Sequence, residues 1–367
     1  MSRRTLFAAT AAIAVLPSTA GATTRTPVVR KDRTATFTFR APAARTVEVR
    51  GGWGPSFGLI NQPMTNDGGG TWTLTTGPLT PDYYQYSLVV DGVETKDPTN
   101  PSSVHSSPSL STFLVPGKGT EFLVPGPGPR GQVSELTYHS TVTGSRRAAT
   151  VWMPPGHRGR NLPTFYLQHG GGGDHLDWIE PGRANVILDN LYEAGRLRPM
   201  VVVMPDGTVP GATGLPGDDS YPAELLDNLV PAVERAFGVL RGPEHRALAG
   251  LSLGGLQTWN VLLSRPGSMA HIGDFSSGYF PEVLDGLVTR HADLLRDPRV
   301  DQRTRLHRVY CGNPDDIAYT NNVATRAVFE RFGIRHTYSE FAPGGHTWQT
   351  WRDNLRDFAP RLFQRHD

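Results

Sequence analysis

From residue 132 onward, short apolar runs alternate with segments whose apolar residues recur at helical spacing, and few folds accommodate that rhythm. Strands are expected around Ser134 to His139, Ala149 to Met153, Thr164 to Gln168, Met200 to Met204, Arg246 to Ala249, His271 to Phe275, Arg308 to Cys311 and Arg335 to Phe341. Between them lie helical patterns, one around Val186 to Ala194 and another carrying Leu225, Leu226, Leu229, Val230, Val233 and Phe237. Strands alternating with helices imply a mostly parallel sheet covered on both faces, an α/β arrangement. Sites in such sheets gather at the carboxyl ends of the strands.

Residues 28–118 read differently. Ala35, Phe37 and Phe39 alternate with polar residues, Val47 and Val49 repeat the pattern, and Tyr84, Tyr86, Leu88 and Val90 lead to Asp91-Gly92, a hairpin signal. With no helical period here, a small immunoglobulin-like β-sandwich is expected. Residues 119–131, with Val124-Pro125-Gly126-Pro127-Gly128-Pro129, read as a stiff Pro/Gly linker to the α/β domain over 132–367. Trp53, Trp72, Tyr84 and Tyr86 could stack on sugars, although alternating aromatics more often fill a core.

The N-terminus has the form of an export signal over residues 1–22. Arg3-Arg4 precede an apolar stretch from Leu6 to Leu16, and Ala20-Gly21-Ala22 fits a cleavage site. The arginine pair also fits the twin-arginine type, with general secretion as the alternative. A secreted protein is therefore expected, with no membrane span after cleavage. Formal net charge is +2 with no basic block, which argues against a nucleic-acid partner. The one cysteine, Cys311, ends an apolar strand and is expected to be buried rather than nucleophilic.

The chemistry centres on Gly250-Leu251-Ser252-Leu253-Gly254, which follows a short apolar strand and precedes a helix. That is the setting of a nucleophile elbow, where small flanking residues let strand and helix approach and present the serine above the sheet. A serine hydroxyl needs a base, and in this fold the histidine comes late in the chain. His346 stands in Pro343-Gly344-Gly345-His346-Thr347-Trp348, after the last strand and before the last helix. The acid should follow the next-to-last strand, in Gly312-Asn313-Pro314-Asp315-Asp316. Asp315 is the choice and Asp316 the competitor. Backbone N–H groups of Leu253 and of Gly171, within His169-Gly170-Gly171-Gly172-Gly173, are the expected oxyanion donors. The absence of a following Lys-Ser or Lys-Thr excludes a phosphate-binding P-loop. His169, His175, Asp174 and Asp177 lack the spacing of a metal site, so neither metal nor cofactor is expected. His175 and Trp178 are candidates to shape the substrate pocket.

These motifs, with Val202-Val203-Met204-Pro205-Asp206-Gly207 and Gly345-His346-x-Trp348, resemble carbohydrate esterase family 1 over about residues 132 to 365. That family holds feruloyl and acetyl xylan esterases, with enterochelin-esterase-like and mycolyl-transferring relatives. Tyr84-x-Tyr86 and Asp97-Pro98-x-Asn100-Pro101 resemble an early-set sandwich carried in front of some such esterases. The resemblance implies an α/β-hydrolase fold and a serine esterase acting on small-molecule or polysaccharide esters, feruloyl or acetyl esters of plant cell walls among them. Its acid motif, Gly-x-x-Asp, puts Gly312 and Asp315 in register, while Pro314 departs from it and leaves Asp316 open. The competing expectations are an acyltransferase with a sugar acceptor, an enterochelin-type esterase and an inactive glycan-binding module.

Overall fold

A computed structural model describes residues 26–54, 59–102, 110–341 and 344–364. The expected export signal lies outside the described residues. The strands are β1 (Val28–Val29), β2 (Ala35–Arg40), β3 (Val47–Gly51), β4 (Ile60–Pro63), β5 (Thr65–Asn66), β6 (Thr71–Thr75), β7 (Asp82–Val90), β8 (Val93–Thr95) and β9 (Ser111–Val115), then β10 (Gln132–His139), β11 (Arg146–Met153), β12 (Thr164–Gln168), β13 (Val201–Pro205), β14 (Arg246–Leu251), β15 (His271–Phe275), β16 (Leu306–Gly312) and β17 (Thr337–Phe341). The helices are α1 (Ala184–Glu193), α2 (Ser220–Ala223), α3 (Val230–Phe237), α4 (Leu253–Ser264), α5 (Pro281–Arg290), α6 (Ala292–Arg296), α7 (Pro298–Gln302), α8 (Tyr319–Arg331) and α9 (Trp348–Phe358). A π-helical turn over Glu224–Leu229 joins α2 to α3.

Strands β10 to β17 form one sheet in the order β10-β11-β13-β12-β14-β15-β16-β17. The pairs β10–β11 and β11–β13 are antiparallel and the rest are parallel. Both faces are covered, which is why the inner strands are apolar throughout rather than alternating. Along β12, Tyr166 enters one core with Val203, Leu248, Trp259 and Phe329. Its neighbours Phe165 and Leu167 enter the opposite core with Ala249, Phe275, Trp351 and Phe358. The architecture is an α/β-hydrolase fold preceded by a small β-sandwich. Its two lesser sheets run β1-β2-β6-β5 and β4-β3-β7-β8, the second extended by β9 on β7.

The sandwich buries Phe37, Val49, Trp72, Tyr86, Leu88 and Phe113 between its sheets. Trp72 and Tyr86 are thus core residues, and Trp53 and Tyr84 pack against that core. The Asp91-Gly92 hairpin joins β7 to β8, with both residues at positive φ as a tight turn of the primed type requires. The Pro/Gly stretch does not stand free as a spacer. Asn190 on α1 donates to the carbonyls of Phe122 and Val124 and accepts from Gly126 N–H. Asp189 accepts from Gly131 N–H. The strap lies close enough to α1 that a Cβ on Gly126 would stand 2.5 Å from the Glu193 carboxylate.

Candidate active site

Strand β14 lies inside the sheet, and its end turns sharply into α4. Ser252 occupies that turn with φ 51° and ψ −117°, a conformation costly for a residue with a Cβ. The flanking glycines are a steric necessity. A Cβ on Gly250 would stand 2.3 Å from the Gly254 carbonyl, and one on Gly254 would stand 2.2 Å from the His169 carbonyl oxygen. Strand, turn and helix therefore close on each other with no room for a methyl group.

His346 follows β17 and is almost wholly buried. Ser252 Oγ lies 2.9 Å from its Nε2. Its Nδ1 lies 2.8 Å from Oδ1 of Asp316. Because a carboxylate can only accept, the imidazole carries its proton on Nδ1 and leaves Nε2 to receive the serine hydroxyl. Thr350 Oγ1 donates to the Gly345 carbonyl, which holds the loop against the first turn of α9.

The carboxylate facing His346 is that of Asp316, and the choice of Asp315 is corrected by this geometry. Asn313-Pro314-Asp315-Asp316 is a turn in which Asp316 N–H donates to the Asn313 carbonyl at 2.8 Å. Asp315 stands at the exposed tip, where its N–H donates to Asn313 Oδ1. Asp316 is carried back inward. Its carboxylate accepts from the N–H groups of Gly312 and Ala318 as well as from His346. Burial opposes ionisation there, but the hydrogen bonds the carboxylate accepts, that of His346 foremost, outweigh it and hold the carboxyl below its usual range. Asp274, a third carboxyl near the site, is fully buried on β15. Burial first, and the neighbouring Asp316 second, push its carboxyl far up, which disfavours the charge an acid facing His346 would carry.

Leu253 opens α4, so its N–H has no carbonyl within the helix to meet. Gly171 runs alongside, and a Cβ added to it would lie 3.9 Å from Leu253 Cβ. The two expected oxyanion donors thus come from neighbouring stretches of backbone. His169 braces their loop. Its Nδ1 lies 2.7 Å from the Gly170 carbonyl oxygen, and its Nε2 accepts from Gly207 N–H at 2.8 Å, which assigns a neutral ring protonated on Nδ1. The sequence reading weighed His169 only as a metal ligand and missed this bracing.

Of the pocket candidates, His175 is half-buried, with Nδ1 2.8 Å from Thr150 Oγ1 on β11. Trp178 is corrected: it is a core residue. Its Nε1 donates to the Gln168 carbonyl and its ring packs edge-on against Phe275 and Trp348. It holds the end of β12 rather than lining a pocket. Cys311 is a buried thiol, and burial together with Asp316 pushes its ionisation up, opposite to what a nucleophile needs. Among the described residues no three His, Cys, Asp or Glu side chains gather as a metal site would require. No helix among them is long and apolar enough to cross a membrane.

Comparison with known proteins places this geometry in context. A family model described as "Putative esterase" matches residues 140–362. The chain is 30% identical over 354 residues to an endo-1,4-beta-xylanase/feruloyl esterase of Xylanibacter ruminicola, a match covering 92% of this chain and 46% of the relative. The chain therefore spans about half the length of that relative. Among solved structures, the enterobactin esterase of Shigella flexneri superposes with a TM-score of 0.67 at 18% identity, covering 90% of this chain and 94% of that one. A ferulic acid esterase of Anaeromyces mucronatus gives 0.57 at 20% identity, covering 66% and 95%. At such identities the structural likenesses speak to fold alone. With the family model spanning most of the chain, including Ser252, Asp316 and His346, the protein belongs to the esterase family.

Proposed function

We propose that this chain hydrolyses carboxylic esters through an acyl-enzyme on Ser252, and that it acts on feruloyl or acetyl esters of plant cell-wall polysaccharide. The observation that carries the reading is the relay from Ser252 Oγ through His346 to Asp316, with contacts of 2.9 and 2.8 Å. Ser252 Oγ attacks the ester carbonyl as its proton passes to His346 Nε2. The oxyanion is met by Leu253 and Gly171 N–H groups, and Asp316 stabilises the imidazolium. Collapse breaks the bond to the alcohol, which leaves with the proton from Nε2. Water then attacks the acyl-enzyme, giving its proton to Nε2, and the acid departs as Ser252 regains its hydrogen. The residues supply every proton transfer, so no cofactor is invoked. His175 is the proposed rim residue for substrate, and residues 1–22 are the proposed export signal.

The substrate part of this proposal draws on the name of the Xylanibacter relative, whose match extends over the sandwich as well as the catalytic sheet. A second reading is an enterochelin-type esterase, which the Ser252 and His346 motifs also resemble and whose two-domain fold the likeness over 90% of the chain accommodates. One panel decides between them: nitrophenyl acetate, methyl ferulate, feruloylated xylan fragments and a catecholate trilactone, each with parent and Ser252→Ala protein. Feruloyl or acetyl release that vanishes in Ser252→Ala supports the first reading. Preference for the trilactone supports the second, and turnover retained by Ser252→Ala would end both.

A further inference from the structure

Arg352 is an arginine buried to 1% exposure at the junction of the sandwich and the catalytic sheet. Its guanidinium engages three acceptors on two separate stretches of chain. Nε donates to the Pro181 carbonyl at 2.9 Å, Nη1 to Asp82 Oδ1 at 2.6 Å and Nη2 to the Tyr83 carbonyl at 2.9 Å. Asp82 and Tyr83 open β7, the strand to which β3, β8 and β9 all pair. The surrounding contacts follow the same seam. Tyr83, Leu114 and Phe122 pack on the catalytic core cluster that contains Trp351. Arg183 lies 4.6 Å over the Tyr83 ring, and Arg356 lies 4.5 Å over the Phe122 ring.

The residues beside Arg352 face the other way, toward the base. Thr350 holds the Gly345 carbonyl at 2.7 Å. The Trp351 ring meets the His346 ring edge-on at 5.0 Å. Trp348 packs at 5.2 Å on Trp351 and at 5.3 Å on Trp178. Three consecutive positions on α9 therefore tie the loop of the base, the ring of the base and the sandwich. A buried ion pair adds little net stability because desolvation offsets attraction, but a planar fork engaged on three sides fixes orientation. We propose that Arg352 is a positioning residue, through which the N-terminal sandwich holds α9 and hence His346 in register with Ser252. On this view the sandwich is a structural part of the catalytic apparatus rather than a separable glycan-binding module.

The inference rests on the serine-hydrolase reading above, and its test keeps the two apart. The full chain and its Arg352→Met, Arg352→Lys and Asp82→Asn variants are titrated to completion with a fluorophosphonate, and kcat is expressed per labelled serine. Arg352→Met is expected to lose on the order of tenfold to a hundredfold in kcat per site, as for a slight misplacement of a reacting group, with KM changed less than about twofold. Arg352→Lys, which keeps a charge for Asp82, is expected to recover part of that loss. Should Arg352→Met fail to fold, Asp82→Asn carries the test, with an expected loss of about threefold or more in kcat per site. Unchanged kcat per site in a folded Arg352→Met, or a loss seen wholly as fewer titratable serines, would overturn the proposal. Unchanged kcat per site in Asp82→Asn would overturn it in the same way if that variant alone folds. Ser252→Ala run in parallel reports on the catalytic reading itself: full activity there fails that reading, whatever the Arg352 variants do.

Discussion

Ser252 and Asp316 both follow the carboxyl end of a parallel strand, yet their loops hold them by different means. The serine turn is fixed by exclusion: Gly250 and Gly254 each leave less room than a methyl group occupies, and Ser252 is held at φ 51°. The acid turn is fixed by attraction: N–H groups of Gly312 and Ala318 and the imidazole of His346 converge on one carboxylate. The first arrangement should resist changes of charge and break with added bulk. The second should tolerate bulk at its exposed tip and break with loss of charge.

The greatest effect expected is that of Ser252→Ala, about a thousandfold or more in kcat, with little change in Tm because the hydroxyl removed fills no core space. Ester turnover and a melting curve on the same preparation check both halves. Next comes the contrast between the adjacent aspartates. Asp316→Asn should lower kcat by about a hundredfold to ten-thousandfold, since it removes the charge opposite the imidazolium and favours the wrong tautomer. Asp315→Asn at the tip should cost less than about threefold. The reverse order in steady-state kinetics would return the acid role to Asp315. Gly254→Ala tests the steric side: the added Cβ must displace the backbone at His169, and a loss of about 1–3 kcal/mol in denaturant unfolding is expected along with reduced activity.

The smallest effect concerns acid stability. The Asp316 carboxyl is held below its unfolded value of about 3.9, so as pH falls the unfolded chain takes up the proton first. Its stabilisation is therefore complete above that value and is lost as pH falls through the lower folded value. Asp316→Asn lacks this contribution, so its Tm deficit relative to the parent should hold steady down to about pH 4 and shrink as pH falls further. A deficit constant with pH would contradict the assignment of a depressed carboxyl.

How far the sequence could be read follows the same division. The elbow was legible because its constraint lies within five residues, Gly250 to Gly254. The alternation that set the α/β sheet was equally local. The acid was not resolved, since spacing from Gly312 alone favours Asp315. The turn signal was present in Asn313-Pro314, which places the third residue at the tip and returns the fourth toward the strand. Trp178 was misread because its burial depends on Trp348, far along the chain. His307, near the start of β16, would read as an edge residue from its polar neighbours, but β17 pairs outside β16 and the ring is buried beside Trp259 and Phe329. An arginine within a helix, such as Arg352, ordinarily reads as a solvated face. Only the sandwich packed against it makes it interior.

The pairing of Asp82 with Arg352 joins positions 270 residues apart. A contact of that span cannot form early in folding, because closing so long a loop costs entropy that only an almost complete structure offsets. The sandwich strands and the inner strands of the large sheet can each assemble from nearer neighbours, while the junction waits for α9. Competence for ester cleavage should accordingly be the last property the refolding chain acquires: the far-ultraviolet signal should return first, and turnover should follow it with a measurable lag. Simultaneous recovery would show that the two halves dock before the final helix is in place. A helix near the end of the chain thus makes activity a report on the integrity of the whole molecule, beginning with the strands laid down first.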